Sequence, residues 1–194
     1  MMSTIRKMQS AGPGKFLLGL LQIILNPWQG WHDAGKDYYN SHNLLVRGLV
    51  PFLIVVALSS LAEAVYYMAV GYMEAVIAGI IDFTGYFVSV FICNYLFTSA
   101  LKKWVFPRRI DANDIMTLVI YSVASMALMT LLNNIFPADL ALLSFLPLYV
   151  IYILWCARDY MDTPDDRRPH YLAVAMFTVF LPPYILSYCL SLFI

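Results

Sequence analysis

The sequence predicts an all-α, polytopic membrane protein with five transmembrane helices preceded by an N-terminal interfacial amphipathic helix. Hydrophobic residues make up 61% of the chain and charged residues 12%, whereas soluble domains are nearer ~45–50% and ~25%. The stretch Ala75–Leu101 holds 27 residues with a single charge, Asp82, and two lysines follow it directly. A helix of this length is long enough to cross the ~30 Å hydrocarbon core of a bilayer.

Residues 1–43 are predicted to form a cytoplasmic arm that contains the interfacial helix. Phe16–Leu25 is apolar for ten residues only, which is too short to span a bilayer. We expect this stretch to lie at the interface or to enter the membrane only partly. A second helix is expected next, because Asn26 suits an N-cap, Pro27 suits the first helical position, and Gln29 stands where a capping-box partner would.

The helix that begins at Pro27 is predicted to be amphipathic. Projected at 100° per residue, aromatic side chains gather on one face and polar side chains on the other. Because aromatic rings favour the headgroup level, this pattern predicts an interfacial anchor formed by Trp28, Trp31, Tyr38 and Tyr39. A purely structural anchor is the simpler interpretation, and a partner-binding or lipid-sensing element is the alternative.

Residues 44–194 are predicted to form the five-helix transmembrane bundle. Each span is an apolar run of a length that suits a membrane crossing, and each is bounded by polar connections. The spans are Leu44–Tyr67, Ala75–Leu101, Ile115–Phe136, Leu140–Cys156 and Tyr171–Ile194, the last with Pro182 and Pro183 at its middle.

The distribution of cations predicts the orientation. All twelve lysines and arginines lie in the arm, at the start of the first span, or in the connections 101–114 and 157–170. The connections on the other side hold none. Since an excess of lysine and arginine marks cytoplasmic loops, we expect a cytoplasmic N-terminus, an external C-terminus and a location in the cell (inner) membrane.

Three stretches resemble the bacterial Yip family, the Ypt/Rab-interacting-protein-like membrane proteins. Ile24–Trp31 resembles the family's opening Pro-x-x-x-Trp segment, and Tyr121–Ser125 resembles its Tyr-Ser-x-x-Pro turn without the proline. Leu148–Thr163 resembles the family's fourth span and the basic loop that follows it. The resemblance implies five spans after a cytoplasmic aromatic arm, and a protein that acts through partners or bilayer shape. The eukaryotic family's signature is missing, so the resemblance does not extend to Rab-linked trafficking.

The sequence contains no motif that predicts catalysis, a metal site or a cofactor. Gly12–Lys15 lacks the upstream glycine and the following Ser or Thr of a phosphate-binding loop, and neither HExxH nor GxSxG occurs. Cys93, Cys156 and Cys189 lack metal-ligand spacing, so we interpret them as packing residues. The net charge of zero gives no indication of nucleic-acid binding.

Two carboxylates inside apolar spans, Glu63 and Asp82, are the sharpest candidates for function. Such a group costs ~2.5–3.5 kcal/mol on insertion scales, so it faces the bundle interior, pairs or stays protonated. The simplest interpretation is interhelical hydrogen bonding beside the small residues Gly79 and Gly85. A proton or cation site and a lipid-headgroup pocket are the alternatives. The candidate intramembrane polar site comprises Glu63, Tyr67, Asp82, Tyr86, Ser125 and Asn133.

Two hypotheses of function follow. The first is a Yip-like, non-catalytic protein that organises the membrane or binds partner proteins. Its partners would be the lipid bilayer and other membrane proteins or further copies of itself. The second is a small transporter or lipid-handling protein that uses Glu63 and Asp82.

Overall fold

The computed structural model describes residues 12–36, 41–66, 71–104, 111–136 and 145–192. This part of the chain is all-helical. It forms seven helices: α1 (Pro13–Leu25), α2 (Pro27–Lys36), α3 (Ser41–Tyr66), α4 (Tyr72–Trp104), α5 (Ala112–Ile135), α6 (Leu146–Tyr160) and α7 (Arg168–Ser191). A π-helical turn, Leu45–Leu49, lies near the start of α3.

Four of these helices, α3, α4, α5 and α7, are long and apolar enough to cross a membrane. They indicate a multi-pass membrane protein in contact with the lipid bilayer, which confirms the predicted class. The shorter apolar helix α1 precedes them. The fourth predicted span corresponds to α6, whose 15 residues are fewer than a span needs. A membrane crossing by α6, and with it the total of five crossings, therefore stays a prediction.

Helices α3 to α7 run in alternating directions. Two hydrogen bonds show which helix ends meet: the Ser41 backbone N–H donates to Asn113 Oδ1 at 2.9 Å, and the Tyr160 hydroxyl donates to Asp114 Oδ1 at 3.2 Å. The starts of α3 and α5 and the end of α6 therefore lie together. We call this end of the bundle the basal end and the opposite end the distal end.

Helix α5 is the centre of the bundle. Every residue from Thr117 to Ala127 is buried, and α1, α3, α4, α6 and α7 all contact this helix. Asp111 is its N-cap, and the Asp111 carboxylate accepts a hydrogen bond from the Asn113 backbone N–H at 3.1 Å, which satisfies one of the free donors of the first turn.

Small residues bring α4 close to its two neighbours. A Cβ built on Gly79 would overlap the carbonyl oxygen of Ala57 on α3, and one built on Gly85 would lie 3.2 Å from Ser187 Oγ on α7. Close backbone approach at small residues is the usual way in which transmembrane helices pack. The predicted role of these two glycines as close-packing residues is therefore confirmed.

Helix α6 ends in a tight turn. The Thr163 N–H donates to the Arg158 carbonyl at 3.0 Å and the Asp162 N–H to the Asp159 carbonyl at 3.1 Å, while Asp162 has a φ of 48°. This is the Schellman pattern of helix termination. Helix α7 then runs without a break through Pro182 and Pro183, which are both buried.

Candidate functional site

Helices α1 and α2 form an antiparallel hairpin. Asn26 alone separates them, and its side-chain Oδ1 accepts a bond from the Gln29 backbone N–H at 3.4 Å, so the predicted helix start is confirmed. The two helices touch where Gly30 faces Ile23, because a Cβ built on Gly30 would lie 2.6 Å from Ile23 Cα. Further from the turn, Gln22 Nε2 donates to Asp33 Oδ2 at 2.5 Å.

The inner face of α1 packs on the bundle. Phe16, Leu20 and Ile23 are buried, and the ring of Phe16 stacks on that of Tyr121 with centroids 5.5 Å apart. Gly48 admits Phe16, since a Cβ there would lie 2.7 Å from the ring. The outer face of α1 is apolar too and is exposed at Leu17, Leu18, Leu21 and Leu25.

The two tryptophans of α2 have different environments. Trp31 is 1% exposed, and its indole Nε1 donates to the Ile153 carbonyl at 3.0 Å. Its ring also stacks on Tyr160 at 5.6 Å. Trp28 is 56% exposed. The expectation that both indoles share an exposed anchoring face therefore does not hold for Trp31, because bundle side chains cover it; Tyr38 and Tyr39, the other predicted anchors, lie outside the described residues.

Contacts at two heights show how far the hairpin reaches along the bundle. Trp31 bonds to Ile153, which precedes Tyr160 at the basal end by seven residues, or about 10 Å of helix. The Tyr149 hydroxyl donates to the Ile24 carbonyl, and Tyr149 precedes Tyr160 by eleven residues, or about 16 Å. The turn of the hairpin therefore lies deeper in the bundle than Trp31. Helix α2 therefore runs along the bundle toward the basal end. Helix α1 is oblique, because Phe16 near its start already lies against Gly48, seven residues or about 10 Å of helix past Ser41 at the basal end.

The stretches that carried the family resemblance meet in this region. Trp31 belongs to the first, Tyr121 to the second, and Ile153 and Tyr160 to the third; the Trp31 and Tyr121 rings touch edge to face with centroids 6.2 Å apart. Compared with protein-family models, curated proteins and solved structures, the chain matches none. Function must therefore be argued from the geometry of the site.

The polar residues predicted for the intramembrane site occupy several places. The Tyr86 hydroxyl on α4 lies 2.7 Å from Thr130 Oγ1 on α5. Ser125 is buried and donates to the Tyr121 carbonyl of its own helix at 2.8 Å. Asn133 is exposed. These contacts give Tyr86 an interhelical role and Ser125 a bond within its own helix.

The predicted asparagine has a neighbour that sequence reasoning missed. Asn134 is buried, and its Nδ2 donates to Ser59 Oγ on α3 at 3.0 Å. Nearby, Ser60 Oγ donates to the Ala75 carbonyl on α4 at 2.7 Å. The two serine hydroxyls on the distal side of α3 thus form bonds with α5 and α4, as the simplest interpretation of the polar residues expects.

The two intramembrane carboxylates are described to different extents. Asp82 is half-buried in α4, one helical turn before Tyr86. Glu63 lies in α3, but its side chain and Tyr67 fall outside the described residues. Within the part of the chain that the structure describes, no group of three or more His, Cys, Asp or Glu residues is placed to hold a metal ion.

Near the basal end, Arg158 packs against two tryptophan rings, an arrangement that was not predicted from the sequence. The Arg158 guanidinium carbon lies 4.1 Å from the ring centroid of Trp155 and 5.9 Å from that of Trp28. Both distances fall within the range of cation–π attraction. The spacing of Trp155 and Arg158, three residues apart, was the available signal, since such residues share a helix face. The contact of Arg158 with Trp28 could not be predicted from the sequence of α6 alone, because Trp28 belongs to α2.

Proposed function

We propose that this chain is a non-catalytic, Yip-like membrane protein that organises the bilayer by holding a helical hairpin in one leaflet. The observation that carries the proposal is the packing of α1 and α2 along the basal half of the bundle. The hairpin turn lies about 16 Å from the basal end, which is roughly half of a ~30 Å hydrocarbon core. Convergence of the three Yip-like stretches around Trp31 also supports the proposal.

A hairpin in one leaflet makes the protein wider on that side of the membrane. α1 exposes leucines to its surroundings, while its other face is occupied by the bundle. Apolar helices that insert into one leaflet displace lipid there and respond to curvature. The expected consequence is a bias toward curved bilayers, convex on the side where the hairpin lies.

The proposal includes five crossings, with α6 as the fourth of them. α6 runs antiparallel to α5, because the end of α6 meets the start of α5 through Tyr160 and Asp114. Its described length of 15 residues corresponds to about 22 Å, and residues 137–144 precede Phe145. The basal end is then cytoplasmic, since cations cluster in its connections.

Cysteine labelling tests this orientation. We expect Glu74→Cys, at the distal start of α4, to react with an impermeant thiol reagent added to intact cells, and Asp165→Cys, in the α6–α7 connection, to be protected. Because Cys189 is exposed, both variants need a Cys189→Ser background. Reaction of Asp165→Cys alone from outside would invert the orientation.

Vesicle shape tests the bilayer-organising function. Gly30→Leu pushes α2 away from the Ile23 backbone, whereas Gly14→Leu introduces the same side chain where nothing lies within 4 Å. At equal protein-to-lipid ratio, wild type and Gly14→Leu should shift liposomes to smaller diameters in electron cryomicroscopy, and Gly30→Leu should lose much of this shift. Equal diameters for all three proteins and for protein-free vesicles would contradict the proposal.

Transport is the second candidate function. The observation that favours it is the carboxylate of Asp82 within an apolar helix. Asparagine has nearly the same shape and retains hydrogen-bonding capacity without charge. If Asp82 has a structural role, Asp82→Asn keeps both the fold and the ability to rescue the phenotype of a deletion strain. A well-folded Asp82→Asn protein that fails to rescue would favour transport.

Association with partner proteins or with further copies of the chain remains part of the proposed function. Co-purification in mild detergent tests this association.

A further inference from the structure

An apolar groove runs between α6 and α7 on the outside of the bundle. Its volume is about 590 Å³, and aliphatic and aromatic side chains line it. Ala173 on α7 leaves room that a larger side chain would fill. From Ala173 to Ile185 the groove follows α7 for twelve residues, or about 18 Å. One leaflet of the hydrocarbon core is about 15 Å thick, so the groove has the length of a single acyl chain.

Arg158, the arginine that packs against Trp28 and Trp155, lies beyond the basal end of the same groove. Pro147 and Ile151 line the groove, and Trp155 and Arg158 follow them at positions i+8 and i+11 from Pro147. These spacings put all four residues on one face of α6. Arg158 lies seven residues beyond Ile151, or about 10 Å. A cation therefore stands where the polar end of a molecule in the groove would be.

The neighbouring carboxylates leave Arg158 with hydrogen-bonding capacity. Asp165 pairs with Arg168, and Asp166 lies 3.7 Å from Arg167. Asp159 lies 3.5 Å from Arg158 Nε and 4.0 Å from Arg168 Nη2. Even so, Arg158 Nε is buried and makes no hydrogen bond to the described residues.

An arginine in this state suits a phosphate oxygen. Its side chain is only 14% exposed, and Trp28 and Trp155 restrict its position. The Schellman turn after α6 also fixes the backbone at Arg158. A held guanidinium loses little further freedom on binding, and its planar fork matches the geometry of phosphate. The Asp159 carboxylate stays 3.5 Å from Arg158 Nε and does not form a hydrogen bond with it, so an acceptor with better geometry would be favoured.

We propose that the groove between α6 and α7, together with Arg158, binds one glycerophospholipid of the basal leaflet. One acyl chain lies along Ala173, Phe177 and Leu181, and the phosphate diester accepts hydrogen bonds from the Arg158 guanidinium. The phosphate ester, the glycerol backbone and the first carbons of the acyl chain together bridge the gap of about 10 Å between Ile151 and Arg158. Because Trp28 belongs to the hairpin, the bound lipid would connect the hairpin to α6 and α7. The proposal requires the membrane location but not the bilayer-organising function.

Native mass spectrometry of the full chain with added phosphatidylglycerol tests the site. We expect wild type to retain one lipid under conditions that strip the remainder. Arg158→Gln removes the charge and Ala173→Leu fills the groove, and each should weaken retention at least about tenfold. Arg158→Lys, which keeps the charge but loses the fork, should fall between wild type and Arg158→Gln. Arg167→Gln, in the same connection, is the control and should bind as wild type does.

Several results would overturn the proposal. Unchanged retention in Arg158→Gln and Ala173→Leu would mean that the lipid is bound elsewhere. Loss in Arg158→Gln alone, or displacement of the lipid by inorganic phosphate, would reduce the site to an anion site without a lipid groove. A dimer in wild type that Ala173→Leu abolishes would assign the groove to a second copy of the chain. Thermal unfolding in the same detergent shows whether each variant is folded. If Arg158→Gln does not fold, the comparison of Arg158→Lys with wild type tests the role of the guanidinium.

Discussion

The basal and distal halves of the bundle are held together in different ways. In the basal half, side chains bond across elements to backbone carbonyls, as Trp31 does to Ile153 and Tyr149 to Ile24. In the distal half, α3 and α4 approach closely at Gly79, and the bonds between helices come from short polar side chains beside that contact, as from Ser60 to the Ala75 carbonyl. A helix that crosses the membrane satisfies its own backbone, so small residues and short polar side chains suffice to join it to its neighbours. The first helix of the hairpin ends inside the protein, and Tyr149 binds the Ile24 carbonyl in its last turn; Trp31 instead attaches α2 to the middle of α6.

The largest expected effect separates the two tryptophans of the hairpin. Trp31→Ala removes a buried ring and its bond to the Ile153 carbonyl, and truncation of a buried tryptophan costs about 3–5 kcal/mol. Trp28→Ala removes a ring that is 56% exposed. We expect a large drop in detergent melting temperature for Trp31→Ala and a small one for Trp28→Ala. Equal drops would mean that Trp31 does not hold the hairpin to α6.

The next effect compares two glycines of the same hairpin. Gly30→Ala places a Cβ 2.6 Å from the Ile23 backbone, which cannot shift as a flexible side chain does, and overpacking of this kind costs about 1–3 kcal/mol. Gly14→Ala meets nothing within 4 Å and improves helix propensity by up to about 1 kcal/mol. The two melting temperatures should therefore move in opposite directions. A stabilised Gly30→Ala protein would contradict the hairpin contact.

The smallest effect concerns adjacent asparagines in the distal half. Asn134→Leu removes the bond to Ser59 Oγ, and such bonds in membranes average about 0.6 kcal/mol. Asn133→Leu changes an exposed side chain and should be neutral or slightly stabilising in lipid. Unfolding of both variants in the same bicelles measures the difference. A larger loss for Asn133→Leu would reverse the assignment of the buried asparagine.

The positions of the long helices could be predicted from the sequence to within about one turn. Each of the four helices begins three residues before its predicted span; α5, for example, begins at Ala112 and its predicted span at Ile115. The polar first turn supplies capping groups and belongs at the headgroup level, as Asp111 illustrates. Hydropathy marks only the part of a helix that lies in hydrocarbon, so it does not mark this turn.

Side-chain environments were harder to predict. The helical projection placed Trp28 and Trp31 on one face, but a projection cannot separate an aromatic ring that meets lipid from one that meets another helix. Asn133 and Asn134 are 100° apart on α5, and only the position of α3 determines that Asn134 is the buried one. In a membrane, protein and lipid are both apolar surroundings, so the hydrophobic pattern carries little information about which face of a helix meets lipid and which meets protein.

The depth of α1 tests the central claim most directly. Leu18 and Leu25 are both well exposed, at 68% and 81%, and are separated by seven residues or about 10 Å of helix. Spin labels at Leu18→Cys and Leu25→Cys, each in the Cys189→Ser background, can be compared for collision with oxygen and with a water-soluble nickel complex. A hairpin held obliquely within one leaflet predicts that both labels lie below the headgroups and that the label at Leu25 is the deeper one, by less than the ~10 Å of helix between them. Equal depths near the headgroups would show a helix lying flat at the interface and would contradict the account.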